Sequence, residues 1–213
     1  SPPLLTSPHS HLMAFVAIMA RRFPGLGRGS MQLMMMGTGP FAVPTFRGLY
    51  ETHHSVVALV TSPLKDRRPG APSNPMRGVA EEYAVPILAP EDINAPDSQA
   101  RLASLDVDLL VVCDYGQILS AATLAQSRLG GINLHASLLP KYRGAAPINW
   151  AIYHGERETG VSVIHMTPQV DAGPVIAQAS TPIRPEEDAV ELETRLSELG
   201  AWLIRQAIDS LEG

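Results

Sequence analysis

The residues best suited to chemistry lie between Gly131 and Pro147, in the string GINLHASLLPKYRGAAP. It reads as a short apolar strand, GINLHA, running into a loop that carries two prolines, a glycine and two cations. Side chains two apart on an extended strand share a face, so Asn133 and His135 are expected to project together while Ile132 and Leu134 face apolar cover. An amide donor beside an imidazole at a strand's carboxyl end can hold a carbonyl oxygen and move a proton. The same spacing also fits a strand end whose Asn and His merely cap the turn.

The surrounding elements must position that pair. MQLMMM (31–36) reads as a buried first strand closed by Gly37-Thr38-Gly39-Pro40, and Phe41–Glu51 as a helix with Pro44 in its first turn. GTGP matches neither GxGxxG nor GxxxxGK[ST], so both glycines read as turn formers near a cleft. SVVALVT (55–61), VPILA (85–89) and DLLVVC (108–113) are further strands, with helices at Arg77–Tyr83 and Asp97–Leu105. Near-continuous apolar strands mark a sheet covered on both faces. APINWAIY (146–153) is a helix with Trp150 as a core anchor. GVSVIHMT (160–167) and VIAQASTPI (175–183) have no helix between them, which implies an antiparallel pair at the sheet's edge. Pro185–Ser210 closes the chain as a helix, with Glu186, Glu187 and Asp188 at its positive end and Trp202 in packing. The alternation predicts a doubly wound, mostly parallel, Rossmann-like α/β sheet with antiparallel edge strands.

Composition narrows the partners. With 45% apolar and 17% charged residues in 213, the chain can bury a real core. A formal net charge of −5 excludes a generally basic nucleic-acid binder, so any RNA contact must come from a local patch. The lone cysteine, Cys113, sits in an apolar run and reads as a core thiol, which fits a reducing cytoplasm. His53 and His54 lack a third nearby ligand and read as a solvated loop. The Pro-rich segment 62–75 carries Lys65, Arg67 and Arg68, and a loop this long is either functional or a wet surface. Residues 1–30 read as a poorly ordered leader; the nine-residue apolar run LMAFVAIMA is too short to span a bilayer, and its arginines follow it.

The string INLHASLLPKYRGAAPINWAI, followed by ETGVSVIHM and VDAGPVIAQ, resembles the formyltransferase family that uses 10-formyltetrahydrofolate. The likeness runs from MGTGPFAVPTF (36–46) through LVVCDYGQIL (110–119) to the closing helix, and is nearest to members that formylate initiator methionyl-tRNA. It implies catalytic roles for Asn133, His135 and Asp171. It also implies a folate pocket built from Tyr115, Gly116, Gln117, Ile118 and Leu119 and the turn around Asp171, together with the loop Ser137, Leu138, Leu139 and Pro140. RNA contacts are implied for Lys65, Arg67 and Arg68, in place of the family's more basic insertion, and for Lys141 and Arg143 beside the catalytic strand. The family continues into a C-terminal β-barrel that helps hold tRNA, whereas residues 31–213 here correspond to the catalytic domain alone.

The implied reaction is attack of the methionyl α-amine on a formyl carbon. Asn133 and protonated His135 would donate to the developing oxyanion, and Asp171 would pair with His135 and organise the proton path. The resemblance calls for no metal, no membrane and a cytoplasmic monomer. Two related chemistries share the same trio: formyl transfer to a nucleotide-linked amino sugar, and hydrolysis of the formyl-folate by water. A non-catalytic folate- or RNA-binding module would not need all three groups.

Overall fold

The computed structural model describes residues 16–18 by their backbone, together with 29–64 and 74–211. Lys65, Arg67, Arg68 and most of the segment expected as a leader lie outside the described residues.

β2 (Gln32–Met36) shows why the apolar strands are continuous. Leu33 and Met35 enter one core cluster, Met34 and Met36 the other, so both faces of the sheet are covered. β2 pairs in parallel with β3 (Ser55–Val60) and β5 (Leu109–Val112); β3 pairs with β4 (Ile87–Leu88) and β5 with β6 (Gly131–His135), also in parallel. β7 (Glu158–His165) lies antiparallel to β6 and β8 (Val175–Pro182) antiparallel to β7, as the missing crossover helix requires. A short β1 (Val16–Ile18) pairs antiparallel with β8, so the edge expected at β8 is taken one strand further out. The order across the eight-stranded sheet is β1-β8-β7-β6-β5-β2-β3-β4. The chain moves outward from β2 through β3 to β4 and returns beside β2 at β5. That reversal opens a crevice at the carboxyl ends of the strands, where ligands bind in such sheets.

The helices begin where their sequence signals stand. A 3-10 turn (Pro40–Ala42) leads into α1 (Val43–Leu49). α2 (Pro75–Glu82) is capped by Asn74, whose Oδ1 accepts from the Met76 N–H at 3.1 Å. α3 (Pro96–Ala103) and the single turn α4 (Ala121–Leu124) connect the middle strands. α5 (Pro147–Tyr153) follows the catalytic-strand loop.

α6 starts later than expected and spans Ala189–Leu211. Asp188 is its cap: Oδ1 accepts from the N–H of Val190 (2.8 Å) and Glu191 (2.9 Å), and Glu191 reaches back to the Asp188 N–H at 3.2 Å. Glu187 does not face the helix end. It hydrogen-bonds Arg195 Nε at 2.6 Å, and that guanidinium holds its carboxyl below the usual range. Leu192, Leu196, Leu199 and Leu203 form the buried stripe of α6, at spacings of four, three and four.

Three side chains differ from their sequence expectation. Trp150 is no core anchor; it is 49% exposed. His54 is not solvated; it is buried, and its Nδ1 accepts from the Met31 N–H at 3.1 Å, tying the turn before β3 to the start of β2. Trp202 packs against the core as expected, but is only partly buried. Cys113 is fully buried, and burial pushes its thiol far up from its ordinary value.

Candidate active site

Asn133 and His135 reach the crevice because β6 is the last parallel strand before the sheet turns antiparallel. Asn133 stands opposite Val112 of β5 and Ile164 of β7, and His135 opposite Ser162. The period of two holds: Ile132 and Leu134 enter the core that α6 covers, and the polar pair takes the other face.

Asp171 comes to them from the turn between β7 and β8. Its Oδ1 accepts from Asn133 Nδ2 at 3.3 Å, and its Oδ2 lies 3.4 Å from His135 Nδ1 and accepts from the Gly144 N–H at 2.9 Å. His135 and Asp171 side chains are only 7% and 10% exposed, so water competes little for these contacts. The turn is set by close approach. A Cβ at Gly173 would lie 1.7 Å from the His165 carbonyl oxygen, so only glycine lets Asp171 sit this near the end of β7. Asp171 itself holds a left-handed φ of 46°.

The loop from Ser137 to Ala146 straps the trio together. His135 Nε2 lies 2.8 Å from the Tyr142 carbonyl oxygen; a carbonyl only accepts, so Nε2 carries the hydrogen. Ser137 Oγ donates to the Lys141 carbonyl at 2.6 Å. Glu156 anchors the outer side, accepting from Tyr142 Oη at 2.7 Å and from Lys141 Nζ at 2.9 Å. Those hydrogen bonds, first from Lys141 and then from Tyr142, hold Glu156 below the usual carboxylate range and push Tyr142 up.

The cleft beside the trio has a volume of about 610 Å³. That is within the range of small-molecule sites. All of Tyr115–Leu119 lines it. The segment is fixed from behind: Thr38 Oγ1 donates to the Tyr115 carbonyl at 3.1 Å, Gln117 Oε1 accepts from the Ile93 N–H at 2.9 Å, and Asn94 Nδ2 donates to the Ile118 carbonyl at 2.9 Å. Its front stays open, with Ile118 62% exposed and free space where a Gly116 side chain would stand. Gly39, extended just ahead of the 3-10 turn, packs closely here, since a Cβ on it would strike the Asp114 carboxylate. Partial loss of water, and then neighbouring Glu193, push the Asp114 carboxyl up from its ordinary value.

Ser137, Leu138, Leu139 and Pro140 do not line this cleft. Their backbone turns toward β7 and β8: Ser162 Oγ donates to the Ser137 carbonyl at 2.6 Å and accepts from the Leu139 N–H at 3.0 Å, while Gln178 donates to the Leu139 carbonyl at 3.0 Å. The segment shapes the strap rather than the cleft wall. Lys141 is drawn out to Glu156, and Arg143 stands exposed beside the rim residue Gly144.

Sequence reasoning missed the Tyr142 carbonyl, the Glu156 anchor and the wall formed by Gly144–Asn149, whereas Val170 and Asp171 on the facing wall belong to the turn that the resemblance implied. Backbone groups leave no residue-type signal. The acid at Glu156 lies at a loop position where a solvated charge is the ordinary expectation.

Sheet order, cleft and polar trio together define a doubly wound α/β protein whose cleft is built on β5, β6, β7 and the loops that leave them. Residues 31–208 match the family model for formyl transferase. The methionyl-tRNA formyltransferase of Rhodopirellula baltica is 51% identical over 188 residues, covering 85% of this chain and 56% of that protein. The methionyl-tRNA formyltransferase of Citrifermentans bemidjiense is 44% identical over 183 residues, with 85% and 58% covered. Among solved structures, phosphoribosylglycinamide formyltransferase from Bacillus halodurans superposes with a TM-score of 0.71 at 20% identity, over 83% of this chain and 93% of that one. Glycinamide ribonucleotide transformylase 1 from Geobacillus kaustophilus gives 0.69 at 26% identity, over 86% and 100%. The chain belongs to the formyl transferase family. It spans a little over half the length of the methionyl-tRNA formyltransferases it matches.

Proposed function

We propose that this chain transfers the formyl group of 10-formyltetrahydrofolate to the α-amine of methionyl-initiator tRNA, in the cytoplasm. The observation that carries the reading is the meeting of Asn133, His135 and Asp171 on the wall of one cleft. The relatives' names support the acceptor. The folate supplies an activated formyl carbon. The cleft fits such a group: Tyr115–Leu119 offers a backbone-rich wall, and the open space at Gly116 and the exposed Ile118 leave room for a flat ring.

Asn133 and His135 serve as donors to the oxygen that becomes negative when the amine attacks. Both donors are occupied at rest, Asn133 Nδ2 by Asp171 and His135 Nε2 by the Tyr142 carbonyl, so an incoming oxygen exchanges for these partners. The Asn133 bond, at 3.3 Å, is long and easily given up. Asp171 keeps the imidazole oriented and accepts from the amine, directly or through a water, as the new C–N bond forms. The proton leaves the amine and ends on the folate nitrogen as the old C–N bond breaks. No covalent intermediate on the protein is needed.

Supplying 10-formyltetrahydrofolate with methionyl-tRNA, a nucleotide-linked amino sugar or water alone tests the acceptor. N-formylmethionyl-tRNA is expected as the dominant product. Formate released at the same rate with and without methionyl-tRNA would make the chain a hydrolase, and preferential formylation of the sugar would move it to the other transferase class.

A further inference from the structure

α5 leaves the cleft carrying an aromatic surface that the chemistry above does not use. Trp150 and Tyr153 are 49% and 79% exposed, and His154 is exposed beside them. The rings of Tyr142, His154 and Trp150 form a near-parallel row, with centroids 5.8 Å apart at each step and interplanar angles of 18° and 25°. Tyr153 stands edge-on to Trp150 at 5.7 Å and to His154 at 5.4 Å. A buried face explains none of this, because Ile148 and Ala151 already bury the opposite side of the helix.

Two further observations say what this surface suits. Arg143 and Arg157 are exposed at its margins and make no side-chain hydrogen bond or ion pair among the described residues, whereas Glu156 is taken up by Lys141 and Tyr142, and Glu158 by Ser180. Free cations around stackable rings are the pattern that holds single-stranded nucleic acid. The surface also starts where the cleft ends: Pro147, Ile148 and Asn149 line the cleft, and Trp150 is the next residue. Nucleotides attached to an aminoacyl group in the cleft have to cross its rim, and the Pro147–Asn149 stretch of that rim runs directly into Trp150.

We propose that Tyr142, Trp150, Tyr153 and His154, flanked by Arg143 and Arg157, form a stacking platform for the unpaired 3′ nucleotides of the acceptor RNA. This deepens the transfer reading and rests on it for the identity of the RNA. Every base offers a π-face, so the platform holds the strand end without reading its sequence.

The chain has two tryptophans, so a Trp202→Phe background leaves Trp150 as the reporter. A short single-stranded RNA ending in CCA is expected to quench Trp150 fluorescence saturably, a blunt duplex of equal length to quench it little, and Tyr153→Ala to weaken the single-strand affinity about tenfold. Trp150→Ala is expected to raise the KM for methionyl-tRNA about tenfold while leaving that for the formyl donor unchanged. Absence of quenching, equal quenching by the duplex, or an unchanged KM for methionyl-tRNA overturns the platform. Quenching by the RNA in a chain that does not formylate methionyl-tRNA would sink the transfer reading and leave the platform standing; formylation without quenching does the reverse.

Discussion

A His135→Ala chain is expected to fold and bind formyl donor, yet to transfer the formyl group about 10²–10⁴-fold more slowly, the range for loss of a positioned proton-transfer group. The imidazole is the junction of the site. It lies 3.4 Å from Asp171 and 2.8 Å from the Tyr142 carbonyl, and among the described residues no other side chain reaches both. Tyr115–Leu119, held by Thr38, Asn94 and Gln117, is untouched by the change, so the KM for the donor should stay near its original value. Steady-state kinetics with a parallel melting curve separates this from unfolding. A fall in rate matched by a collapse in Tm would assign His135 to structure alone.

Gly173→Ala is expected to be nearly as damaging without touching a reacting group. The added methyl would stand 1.7 Å from the His165 carbonyl, which belongs to a strand paired on both sides and cannot retreat. The turn must move instead, taking Asp171 from the Gly144 N–H and from His135. A displacement of about 1 Å at such a site can cost on the order of 10² in rate. The strain of overpacking should lower stability by about 1–3 kcal/mol. Measuring kcat and chemical denaturation of the same preparation checks both. A chain with full activity would mean that the turn holds Asp171 in place without the close approach at Gly173.

How much of this could be read from the residues depends on which periodicity carries each element. Asn133 and His135 were legible because a strand alternates every residue, and the two faces of β6 separate them from Ile132 and Leu134. The sheet was legible for the same reason: MQLMMM and DLLVVC are apolar throughout, which only a doubly covered strand tolerates. Asp171 was a different matter. It lies 38 residues from Asn133, and no spacing rule joins the turn after β7 to the end of β6; family resemblance supplied the pairing, and the antiparallel register of β6 with β7 explains it.

The errors follow physical lines as well. Trp150 was placed in the core by residue type, although the helical period runs against that: Ile148 and Ala151, three apart, mark the inner stripe, and Trp150 with Tyr153 falls on the other. His54 was taken for a solvated loop residue because its acceptor role toward the Met31 N–H depends on a turn folding back on β2. The SLLP segment, for which resemblance implies folate contacts, is no such error: its backbone hydrogen bonds to Ser162 and Gln178 turn it toward β7 and β8, which no side-chain pattern records.

The most direct test is a single-turnover measurement of formyl transfer from 10-formyltetrahydrofolate to methionyl-tRNA, with the original chain and Asp171→Ala side by side at saturating donor. Loss of the carboxylate that meets both Asn133 and His135 should slow transfer by at least about 10²-fold while donor binding, followed separately, persists. Equal rates from the two chains would mean that the acid's convergence on the amide and imidazole has no part in the reaction.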